Sequence, residues 1–191
     1  MPLDHTNTIQ TPSDHKHKGK RMKLLIVSIL ALTIVGGCAS KSVSLTARFD
    51  ADAAKRQLIE GTNIVRGSGL VRQAGGGVVT CAGNPVFLMP VTSTAREWAT
   101  HLYGSPQAGY RSAGGPGVMF DGAEEFMSAV RTANCDAQGS FRFDHVANGE
   151  FYVFTRIVWR VGGEMQGGSV MRSVSLKGGS SVEVVLSPGS L

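Results

Sequence analysis

From Leu24 to Val35 the chain reads LLIVSILALTIV, twelve apolar or small residues in a row, and the residues before this run are polar and basic with no apolar period. After the run the pattern changes. SKSVSLTAR (40–48) alternates weakly, which predicts either a first strand or an extended tether. In FDADAAKRQLIEG (49–61), Phe49, Ala53, Leu58 and Ile59 fall near helical spacing. Asp50 or Asp52 is placed as N-cap and Gly61 as stop, so one short helix is expected there. Short β-branched runs punctuated by Gly, Asn and Pro then predict strands near 63–72, 76–82 and 85–91, the texture of a sandwich or barrel. Residues 93–130 break that rhythm. They offer a helical turn at 95–103, a Gly/Pro-rich stretch at 104–117 and a second turn at 124–130. An insertion of this length is where a binding surface is expected first.

The second half carries the clearest alternation. Asp136 and Gly139 suit a tight turn, after which Phe141 and Phe143 face one way and Arg142 and Asp144 the other. Asn148-Gly149 is a strong two-residue hairpin signal. The next strand sets Phe151, Val153, Thr155, Ile157 and Trp159 on one face and Tyr152, Phe154 and Val158 on the other, so it belongs in mid-sheet, covered on both sides. GGSVMRSVSL and SVEVVLS, joined through KGGS, predict a closing hairpin with Val182, Val184 and Leu186 on one face.

The apolar run of 24–35 is shorter than the 18 or so residues that span a bilayer. It fits the h-region of an export signal, with Lys16, Lys18, Lys20, Arg21 and Lys23 as the basic n-region. Val35-Gly36-Gly37-Cys38 resembles the lipobox of bacterial lipoproteins, in which the cysteine receives a diacylglycerol thioether and becomes the first residue after cleavage. This resemblance makes 1–37 a signal peptide with an N-terminal extension (the start of translation being Met1 or Met22), and 38–62 the lipidated terminus, tether and helix. Ala39 and Ser40 lack the aspartate of inner-membrane retention, which implies an outer-membrane lipid anchor on the periplasmic face. An uncleaved anchor and an ordinary secretory signal are the other readings of the same run.

Cleavage there changes the charge picture. Of 19 basic and 14 acidic residues, five and two precede Cys38, leaving 14 against 12. The basic balance thus belongs to the leader, and the remaining cations are scattered, which argues against nucleic acid as a partner. The same cut removes His5, His15 and His17, leaving His101 and His145. In an oxidising compartment Cys81 and Cys135 have one pairing available, a disulfide. Neither C-x-x-C nor H-E-x-x-H occurs, and no metal or cofactor is expected.

TCAGNPVFLMPVT (80–92) followed by DAQGSFRFDHVANGEFYV (136–153) resembles the carboxypeptidase regulatory-like domains. This resemblance implies an all-β fold, a seven-strand Greek-key sandwich of transthyretin type over 63–191, with one short N-terminal helix and the 93–130 insertion as its departure. It implies no peptidase activity, because nothing here matches the zinc-binding catalytic domain, and such modules serve many larger assemblies.

There is no G-x-S-x-G elbow and no phosphate-cradling glycine loop. Two function classes remain. The first is a non-catalytic structural or interaction module, held to a membrane by lipid on Cys38. It would touch an envelope protein or polysaccharide through the insertion, where Trp98, His101, Tyr103, Tyr110 and Arg111 (with Arg96) would form a polar-aromatic binding loop, or through an exposed sheet edge. The second is a small periplasmic hydrolase or metal-dependent enzyme using His101 and His145 with Asp121 or Asp144. Against these stand plainer expectations: a loop packed by its own aromatics, a half-buried His145, a solvated Glu124-Glu125 pair, and Trp159 in a core or interface.

Overall fold

The computed structural model describes residues 43–115, 118, 120 and 122–188. All of them belong to the second of two units into which the chain divides, Cys38–Leu191. The leader and Cys38 lie outside the described residues.

Nine strands are present among them: β1 (Asn63–Arg72), β2 (Val78–Thr80), β3 (Pro85–Pro90), β4 (Ala108–Ser112), β5 (Arg131–Asn134), β6 (Ser140–Val146), β7 (Gly149–Val161), β8 (Glu164–Leu176) and β9 (Ser181–Leu186). Three helices accompany them: α1 (Ala51–Leu58), α2 (Ser93–Tyr103) and α3 (Ala123–Ser128). The fold is all-β, a sandwich of two sheets. One sheet has the antiparallel order β4-β8-β7-β3-β5. The other is built on β1, which pairs antiparallel with β6 along its first part and with β2 at its end, and parallel with β9.

Alternation explains the inner core. Val65, Val86, Leu88, Phe141, Phe143, Phe151, Val153, Ile157, Val184 and Leu186 meet between the sheets. The disulfide Cys81–Cys135, with Cα atoms 5.8 Å apart, ties the residue after β2 to the residue after β5 within that core. Closing a loop of 54 residues stabilises the fold by about 4 kcal/mol in the chain-entropy account. Gly69 lies against the bridge, where a Cβ would come within 2.9 Å of Cys81 Sγ.

As its two apolar faces require, β7 is central, between β8 and β3. Its second face, with Tyr152 and Phe154, joins Met89, Met171, Ala95, Trp98, Ala99 and Phe126 in a separate outer core. The described part of this unit is therefore three layers deep, α2, α3 and the segment before α1 covering the outer face of the five-stranded sheet.

Several local expectations are corrected. Asn148-Gly149 is a corner between sheets and not a hairpin, since β6 pairs with β1 while β7 pairs with β3 and β8. The Asn148 side chain is used there as a clamp, its Oδ1 accepting from Asn63 Nδ2 (3.0 Å) and from Gly178 N (2.9 Å). Likewise KGGS is a crossover: β9 leaves β8 and pairs with β1. The Gly/Pro-rich stretch 104–117 contains strand β4 on the sheet edge. It fits because a Cβ on Gly168 would collide with the Arg111 carbonyl and one on Gly109 with Tyr103.

The first helix is capped by Asp50, whose carboxylate accepts from Ala53 N at 2.8 Å, but it ends at Leu58 rather than at Gly61. Gly61 is needed for close approach to the backbone of Val146 and Ala147. His145 is exposed instead of half-buried. A bulge in the β1–β6 register and a φ of 55° at His145 turn its side chain out and give the buried position to Val146. Residues 43–49 form no strand.

Candidate functional site

The 93–130 insertion is built as a cover. Thr92 caps α2, its hydroxyl accepting from Ala95 N at 3.1 Å, and Gly104 at φ 78° ends the helix. Three turns of helix then present Ala95, Trp98, Ala99 and Leu102 to the sheet. Trp98 is 8% exposed, with ring centroids of Phe154, Phe126 and Tyr103 at 5.5, 5.8 and 5.8 Å. The short α3 contributes Phe126, against which Phe49 and Phe120 stand edge-on.

Of the residues expected to form a binding loop, the structure brings Trp98 and Tyr103 together inside this outer core. Burial pushes the Tyr103 hydroxyl above its ordinary pKa, although a hydrogen bond with Ser169 and the charge of Arg111 work the other way. Tyr110 packs on the opposite face of the sheet, against the inner core. Arg111 donates to the Gly115 carbonyl. His101 is exposed on α2, 3.9 Å from Glu97. The five residues thus divide between two faces and a helix surface.

The residues of the hydrolytic reading are also dispersed. His101 is on α2 and His145 on the bulge of β6. Asp144 is clasped by Arg142 at 2.7 Å, which holds its carboxyl below the usual range. Asp121 lies outside the described residues. Among the described residues, no three His, Cys, Asp or Glu side chains come together as metal ligands.

Two further features stand out, and only the first was not legible in the sequence. The first is a cleft of about 130 Å³ on the outer face, where the α2–β4 connection meets β7 and β8. Register creates it: Tyr152 stands opposite Ser173, and Glu150 opposite Ser175. The Ser173 amide donates to the Gln107 carbonyl at 2.7 Å, holding the connection in place. Arg96 reaches from α2 to Glu150, N to O 2.8 Å, over side chains about half exposed. Beneath them Tyr152 is wholly buried, and its hydroxyl has no hydrogen-bond partner in the protein. Burial pushes this hydroxyl's pKa up, the Arg96 charge opposes that and the Glu150 charge adds to it, so both charged groups stand near the same O–H. An exposed ion pair contributes about 0.2–1 kcal/mol, whereas a buried hydroxyl left unpaired costs about 1–3 kcal/mol.

The second feature is Trp159. Its indole lies over Gly167, where a Cβ would meet the ring at 2.6 Å, and it is half-buried at the edge of the inner core. Cross-strand Gln166 flanks it. A larger groove, about 630 Å³, runs under residues 43–49 beside Thr94 and Gly122.

No protein-family model matches the chain, and no curated protein matches it in sequence. Among solved structures, a Pseudomonas aeruginosa protein proposed to bind carbohydrate superposes with a TM-score of 0.60 at 23% identity, covering 74% of this chain and 98% of that one. A minor pilin of the gram-positive pathogen Streptococcus agalactiae gives a TM-score of 0.35 at 13% identity, over 68% of this chain and 44% of its own. With the first of these, the chain shares its β-sandwich fold.

Proposed function

We propose that this chain is a non-catalytic interaction module of the bacterial cell envelope, anchored by lipid on Cys38 and recognising carbohydrate. The observation that carries the reading is the outer layer of the fold. The insertion spends its aromatics on covering the sheet and leaves at its seam a small cleft lined by polar and charged side chains, a form suited to holding a ligand. The fold shared with a protein proposed to bind carbohydrate supports the choice of ligand class. A fold alone does not name a function, so the cleft has to carry it. The disulfide fits an oxidising, extracytoplasmic compartment. No helix among the described residues is long and apolar enough to cross a membrane; in this reading the lipid on Cys38 is the attachment. The turn at Asp136, whose carboxylate accepts from Gln138 N and Ser140 N, fits the likeness to carboxypeptidase regulatory-like domains.

The test is capture of the full-length protein from membranes, with mass spectrometry of its amino-terminal peptide and of what comes with it. A diacylated Cys38 peptide with co-purifying glycan supports the reading. An unmodified peptide running through Gly37-Cys38 removes the anchor, and a polypeptide partner without glycan removes the ligand class.

A further inference from the structure

We infer that the Tyr152 cleft is a subsite for one neutral sugar unit, with the Tyr152 hydroxyl as the buried anchor and Arg96 and Glu150 as the clasp at its mouth. The inference rests on the carbohydrate reading above and deepens it by naming where the ligand sits.

Three observations converge. Tyr152 lines the cleft and its hydroxyl is buried without a protein partner, and a hydroxyl can both give and take a hydrogen bond. A ligand hydroxyl arriving there satisfies it in either sense. The mouth carries one cation and one anion, already within 2.8 Å of each other. A ligand carrying net charge of either sign is attracted by one and repelled by the other. A pair of adjacent hydroxyls suits both, accepting from the guanidinium and donating to the carboxylate. Finally, the cleft of about 130 Å³ has room for roughly four waters. That admits the edge of one ring, so a terminal or branching unit fits better than the middle of a linear chain. Val91 and Pro106 supply an apolar wall for the C–H face of such a ring.

The cleft is built from rigid parts. Val91 N donates to the Glu150 carbonyl at 2.9 Å, and Met89 and Ser173 flank Tyr152 in register on either side. The Arg96–Glu150 contact, by contrast, is between side chains about half exposed.

The experiment is a titration of the isotope-labelled full chain, in a detergent without a sugar head group, with glucose, galactose and N-acetylglucosamine. At least one sugar is expected to shift the amides of Arg96, Gln107, Glu150 and Ser173. Tyr152→Phe is expected to weaken it about tenfold with the thermal midpoint kept, and Arg96→Ala is expected to weaken it while the fold is untouched. Binding that is equal in Y152F and wild type overturns the subsite. Shifts centred on Trp159 and Gly167 also overturn it, yet leave the carbohydrate reading standing. A cleft that no sugar perturbs, because it holds ordered water only, overturns the subsite as well. The carbohydrate reading itself then falls only if polysaccharides also fail to bind.

Discussion

The carboxylate of Glu97 collects the backbone of Thr46. It accepts from Thr46 N at 2.8 and 3.0 Å, from Thr46 Oγ1 at 3.0 Å and from Ala47 N at 2.9 Å. A single acidic side chain on α2 thereby fastens the segment leading from the proposed lipid anchor to the outer layer of the domain. These bonds, those from the Thr46 and Ala47 backbone foremost, hold the Glu97 carboxyl below its ordinary 4.5. A carboxyl depressed in the folded state contributes stability above its unfolded pKa, and that contribution is lost as pH falls through the folded pKa. The segment is therefore expected to stay fastened at neutral pH and to release only as pH falls through that lowered pKa. Chemical shifts of the Thr46 and Ala47 amides followed against pH should show one transition with its midpoint under 4.5. Glu97→Gln should remove it.

Asn63 ties together three corners of the sandwich. Wholly buried, it donates through Nδ2 to the Val146 carbonyl at 2.9 Å and to Asn148 Oδ1, and its Oδ1 accepts from Ser180 N at 2.8 Å. Asn63→Ala strands several buried groups at once, and a loss of about 2–4 kcal/mol is expected. Asn63→Asp is informative beside it, because it keeps the acceptor and loses the donor. Denaturant unfolding of both variants checks the order, with Ala and Asp both well below wild type.

Trp98 separates packing from binding. Because it is enclosed by Phe126, Phe154 and Tyr103, Trp98→Ala is expected to cost about 3–5 kcal/mol. A binding-surface tryptophan would instead leave stability nearly unchanged. Thermal unfolding of the variant distinguishes the two.

How far the sequence carried can be seen from individual residues. The double-faced run 151–158 placed β7 in mid-sheet because alternation with both faces apolar admits no other position. Asp136 and Gly139 marked their turn through local backbone chemistry that acts whatever the surroundings. Asn148-Gly149 misled for the complementary reason: a turn signal reports that the chain bends, and partner choice is settled by which sheet buries Phe141 and Phe143. The pairing of β9 with β1 spans more than a hundred residues and leaves no local trace. The Tyr152 cleft was hidden as well, because Tyr152 reads as a core residue in the alternation. Its importance comes from a hydroxyl that register places under an ion pair between α2 and β7. For the insertion, length and glycines point to a surface, while the spacing of Trp98 and Leu102 in the expected helical turn and the plainer expectation of self-packed aromatics point to the cover that the structure has.

The most direct test of the central claim is a microarray of bacterial polysaccharides and free glycans probed with the full-length chain. The reading of the fold as a sugar-recognising module predicts selective binding to a small set of glycans, competed by the monosaccharide at their terminal or branch position and weakened in Tyr152→Phe. An array that stays blank at millimolar ligand density, with protein that is folded and disulfide-bonded, contradicts it.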